Sequence, residues 1–261
     1  MIQNKLNFGT FADRVGKEKK DIFTVNVIQP NCRVRFTAAD IEFILSVLGS
    51  GPGKVESLTR LLADPESRDT ILDDESLFRA ILERSGCLRV STHFYFYVLV
   101  RHVLRRAGIE DRAVADYVAE MLAEFSSAER ARRPIATDPH PMDYLVDMLA
   151  ALHTADDQSR FLIRAHVGNH SLFLSGVFPD RIRFQAQIHA APEMRYYEEL
   201  GSSNYRVAGE HPLAKRYELA PIFHVLAEGF HNTRLALNDM SDRLILIVEP
   251  EGLNELLIKQ T

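Results

Sequence analysis

Apolar residues recur along most of this chain at three- and four-residue intervals, and turn formers punctuate the runs. From Thr37, a fair N-cap, the spacing predicts helices over Ala38–Leu48 and Lys54–Ala63, a short turn from Pro65, and a helix over Asp74–Arg84. A longer helix starts from Ser91 or Thr92 and ends at Ala107, followed by Arg112–Phe125, which Asp111 caps. Gly49-Ser50-Gly51-Pro52-Gly53 stops the first helix, and Gly108 stops the helix that ends at Ala107. Beyond Pro141 four helices are expected: Met142–His153, Ser159–Phe178, Pro192–Ala208 and about Leu219–Ile247, with Pro221 in the first turn of the last.

Two stretches break the helical pattern. In residues 1–37, Ile22–Ile28 alternates apolar and polar positions, and Cys32–Phe36 follows Pro30. This reads as an extended or hairpin arm, which a body or a second copy must hold in place. Ser126 to Pro141 carries Arg130, Arg132 and Arg133 with Pro134, Pro139 and Pro141, the composition of a linker. The expected architecture is therefore all-α, a helical bundle of two packed subdomains. Residues 1–37 form the arm, 38–125 a helical subdomain, 126–141 the linker, 142–250 a four-helix bundle and 251–261 a tail.

Composition narrows the function classes. Residues 1–133 carry 20 Lys+Arg against 19 Asp+Glu, and residues 134–261 carry 11 against 17. Neither half is basic enough to gain much from counterion release, so nucleic acid is not an expected partner. The most apolar stretch, Phe94–Val100, is far shorter than the roughly 20 residues of a membrane span. Met1–Thr10 lacks a basic start followed by an apolar run, and both cysteines, Cys32 and Cys87, sit in apolar settings. A cytoplasmic protein with two buried thiols is expected.

Chemistry concentrates in the histidines, eight of ten of which lie beyond residue 133. On a wheel at about 100° per residue, Leu162, His166, His170, Phe173 and Val177 share one arc of roughly 80°, with Arg160, Arg164, Ser171 and Ser175 opposite. The two imidazoles thus point with the apolar side chains. They are either hydrogen-bonded core groups or ligands. In the last helix His224, Glu228, His231 and Leu235 line one stripe, across from Phe223, Leu226, Phe230, Leu237 and Leu244. Glu-x-x-His is the ligand spacing of carboxylate-bridged metal bundles, although it occurs here once on a clear helix where such bundles need it twice.

Two readings follow. In the first, His166 and His170 face His224, Glu228 and His231 across a helical interface and hold iron, zinc, copper, manganese or a metal-centred cofactor, with a redox or sensing role. In the second, the chain is a non-enzymatic scaffold or regulator that binds a second copy or another protein through the arm and the aromatic helix Phe94–Arg106. Other signals are weaker. The glycines before Lys54 lack phosphate-loop spacing, and the second helix of a helix-turn-helix outline over Val98–Met121 is acidic at Asp116, Glu120 and Glu124. Glu198 and Glu199 are adjacent and point about 100° apart, so they cannot form one acid/base couple from one face. Tyr196, Leu200 and Val207 are the expected core positions of that helix.

Overall fold

The structure, a computed structural model, describes residues 27–51, 53–83, 89–132, 141–189 and 191–248. Cys87, His140, most of the Ile22–Ile28 pattern and the 251–261 tail lie outside those residues. The described chain is helical throughout. A 3-10 strap, Cys32–Arg35, precedes α1 (Ala38–Leu48), α2 (Lys54–Ala63), α3 (Pro65–Leu72), α4 (Glu75–Glu83), α5 (Thr92–Arg106) and α6 (Arg112–Arg132). Then follow α7 (Pro141–Ala151), α8 (Asp157–Val177), α9 (Pro179–His189), α10 (Met194–Glu210), α11 (Pro212–Arg216), α12 (Ala220–Glu228) and α13 (Phe230–Val248). Among the described residues no helix is long and apolar enough to cross a membrane.

Caps place the ends where side chains satisfy free backbone donors. The Ser91 hydroxyl accepts from the Phe94 amide, and Asp156 accepts from the Ser159 amide, so α8 begins at Asp157 instead of Ser159. Asp40 serves two helices. It closes the capping box of α1 with Thr37, and from full burial it also accepts from the Ser91 amide at 2.6 Å and the Ser91 hydroxyl at 2.8 Å. The start of α5 is thereby fixed to the start of α1.

Several expectations change on folding. Cys32–Phe36 is not a strand: the Val34 amide bonds back to the Asn31 carbonyl, and no partner strand is present among the described residues. α6 runs to Arg132, into the stretch read as a linker. α9 occupies a span expected to be a connection. The single long helix over Leu219–Ile247 is two helices broken at Gly229, a residue that costs about 1 kcal/mol in a helix interior relative to alanine.

The deepest packing uses small residues. α8 crosses α10 with Gly168 against the Tyr205 ring and Ser171 against Gly201, and α13 with Gly176 against Leu237. Ser171 and Ser175, read from the pattern as outward-facing, are completely buried. The buried face of α10 likewise carries Tyr197, Gly201, Tyr205 and Ala208, while Val207 is exposed. Phe161, Leu162, Leu172, Phe173 and Leu174 are buried, as the apolar arc of α8 predicts. One apolar core joins both halves of the chain, since α13 packs against α4 and α5 as well as α8, and α12 packs against α6.

Candidate functional site

His166 and His170 stand one turn apart on α8, partly buried, with their rings nearly parallel at 17° and 6.1 Å between centroids. Phe125 of α6 meets both edge-on, at 5.6 and 6.2 Å, and packs against Phe173 at 5.1 Å. Loss of solvent pushes His166 down to about 4. The same cause, with the neighbouring His166 adding to it, pushes His170 down to about 3. Both rings are therefore neutral at neutral pH, each keeping a lone pair.

The other three predicted ligands sit elsewhere. His224 is exposed on α12, with its ring lying against α10 at Gly209. Glu228 is exposed at the end of the same helix. The break at Gly229 puts His231 on α13, where its Nδ1 lies 2.9 Å from Glu198 Oε1 of α10. That oxygen also accepts from Arg234 Nε. Arg234 donates onward to Asn238 at 2.6 Å, and the Asn238 amide donates to the carbonyls of Ser175 and Gly176. His231 is thus the outer end of a polar chain that ties α10 and α13 to α8. Glu199 points away and pairs with Arg195 at 2.7 Å. Among the described residues no group of three or more His, Cys, Asp or Glu side chains is placed to hold a metal ion.

Only half of the aromatic run at the start of α5 is interior, since Tyr95 and Phe96 are half-buried. Phe94 and Tyr97 are fully buried, and Phe36 packs on both at 5.2 and 5.7 Å. The basic residues at its end are also engaged. Arg101 holds Asp73 at 2.8 Å, Arg112 holds the same carboxylate at 2.7 Å, and Arg105 and Arg106 reach Glu110 and Glu75. The crease between Asp73, Phe78 and His102 leaves no room for a water-sized sphere.

A second cluster of titratable groups was not legible from the sequence. Asp116 and Glu120, one turn apart on α6, are each only 2% exposed. The Arg33 amide donates to Asp116 at 2.9 Å, and its guanidinium reaches Asp69 at 2.6 Å and lies over the Tyr97 ring. Arg35 reaches Glu120 Oε1 at 3.2 Å. Burial raises both carboxyls, Glu120 to about 7, and it raises the Tyr97 phenol to about 12. Burial also raises the Cys32 thiol, which donates to the His93 carbonyl at 3.2 Å. The available signal was the alternation of Arg33 and Arg35 upstream of two carboxylates at helical spacing, a pairing across more than eighty residues.

Comparison with protein-family models, curated proteins and solved structures finds no match to this chain.

Proposed function

We propose that the protein is a non-enzymatic helical interaction module that pairs with a second copy of itself through α9. One observation carries this reading. α9 anchors itself by Ile182, which is buried, while Phe184 and Ile188 on its other side are 59% and 58% exposed. The two lie one turn apart, so they form an aromatic and aliphatic stripe of the kind that fills a groove on a partner. A two-fold arrangement brings the stripe against itself, the simplest closed assembly. Arg234 with Glu198 and Asn238, and Arg101 and Arg112 with Asp73, are spent on ties within the fold, in keeping with a scaffold. Sedimentation of the wild-type protein over a concentration series tests the reading. A concentration-dependent dimer is expected, and Phe184→Asp with Ile188→Asp should leave a monomer of unchanged helicity. A wild-type protein that stays monomeric at its highest soluble concentration rules the pairing out.

The metal reading keeps one supporting observation. His166 and His170 are neutral, adjacent and partly exposed, so a transition metal need displace no proton to bind them. Two imidazoles fall short of the three or four protein ligands that zinc sites use. Elemental analysis decides it: stoichiometric metal lost in His170→Ala supports a site, and metal-free protein removes it.

A further inference from the structure

The strap sits against α5 and α6. Cys32 is fully buried and Phe36 packs on the α5 aromatics, while Val34 between the two arginines is 85% exposed. Polar contacts supply much of the remaining attachment: Arg33 to Asp116 and Asp69, and Arg35 to Glu120. Glu120 is poorly compensated for a carboxylate so enclosed. Its Oε1 has the Arg35 guanidinium at 3.2 Å, but its Oε2 is buried without a hydrogen bond, and His93 Nε2 stands 3.6 Å away. A buried acceptor left in that state favours the protonated acid, which removes the charge.

We propose that the strap is a proton-operated latch, seated on α5 and α6 while Glu120 carries a proton and released as that carboxyl ionises. This goes beyond the α9 pairing and does not depend on it. The direction follows from linkage. The seated strap keeps Glu120 dry and the released strap returns it to water, so the seated state binds the proton more tightly and loses ground as pH rises. The window runs from the ordinary glutamate value of 4.5 to about 7.

Among the described residues, the groups that act on Glu120 come from three elements. Arg35 of the strap favours ionisation, while Asp116 and Glu124 of α6 oppose it. His93, at the start of α5, is held below its usual value by burial and by Arg35. It works in the opposite sense, favouring release only when acid protonates it below about 6.5. Asp116 is raised by burial and adds to the effect of Glu120. The seated strap is therefore most secure in mild acid and loosens through neutrality.

Cys32 supplies the reporter, because its thiol is inaccessible while the strap is seated. Its rate of alkylation, located by peptide mass and normalised to the urea-unfolded chain at the same pH, reads the opening equilibrium. The rate is expected to rise with pH, by up to about tenfold per pH unit where Glu120 titrates above about 6.5 and more gently below it, where His93 works against it, levelling above about 7. Glu120→Gln should remove most of the rise, and Arg35→Gln should move the plateau to higher pH. Glu124→Gln, at an exposed position on the same helix, should keep the rise. A pH-independent rate in the wild-type protein overturns the latch, as does an undiminished rise in Glu120→Gln. If Glu120→Gln does not fold, the wild-type profile and the Arg35→Gln shift still decide.

Discussion

Gly168 faces the Tyr205 ring so closely that a Cβ on it would lie 2.8 Å from two ring carbons. Tyr205 has little freedom to retreat, because its hydroxyl donates to Asn169 at 2.8 Å and its ring packs against Phe223 and Phe230. Gly168→Ala should therefore lower stability by about 1–3 kcal/mol in urea denaturation, despite the roughly 1 kcal/mol helix preference for alanine. A neutral or stabilising result would mean that α8 and α10 slide apart freely. The paired imidazoles give a pH dependence of definite sign. Their folded-state values, about 4 and about 3, lie below the ordinary 6.5, so the stability they carry is complete above that pH. It is lost as pH falls toward those values, by at most about 1.4 kcal/mol per histidine per pH unit. Denaturation midpoints between neutral pH and pH 4 should fall more steeply for the wild-type protein than for His166→Leu with His170→Leu.

Elements were legible where local chemistry decides them. Ser91 and Gly108 bracket α5, Thr37 and the glycine-rich turn bracket α1, and both helices form where the pattern puts them. The polarity of α8 was only partly legible. Large apolar residues marked one face as buried, yet the closest contacts fall on Gly168, Ser171 and Gly176, whose value lies in being small. A wheel that scores hydrophobicity cannot see that. The stripe of His224, Glu228 and His231 depended on one continuous helix and dissolved at Gly229, where the chain restarts as α13. The sequence marks Asp116 and Glu120 only as acidic positions on a helix, because their partners, Arg33 and Arg35, are remote in sequence. Asp40 shows what such long-range ties are worth to an element. Asp40→Ala removes an acceptor shared by the first turns of α1 and α5, leaving the Thr37 and Ser91 amides unpaired. A loss of about 3 kcal/mol is expected, with hydrogen exchange accelerating first in those two turns. Exchange that accelerates only in α1 would show that the tie to α5 carries nothing.

At the scale of the molecule, α13 makes the two halves answer to each other, because it touches α4 and α5 on one side and α8 on the other. Amides of α5 and α13 should accordingly lose protection at the same denaturant concentration. Separate transitions would show that the two packed subdomains unfold independently. The Arg234 tie to Glu198 and Asn238 lies on this path and is buried, so Arg234→Ala should cost about 3–5 kcal/mol and shift both sets of amides together. Near the same crossing, Asn169 accepts from Tyr117 of α6 and from Tyr205 of α10, each at 2.8 Å. The chain has eight tyrosines and no tryptophan, and four of those tyrosines are among its most enclosed side chains. Its ultraviolet spectrum is consequently a tyrosine spectrum, with two phenols bound to a single amide where three helices meet. Their absorbance gives the unlabelled protein a built-in optical gauge of whether that junction is intact.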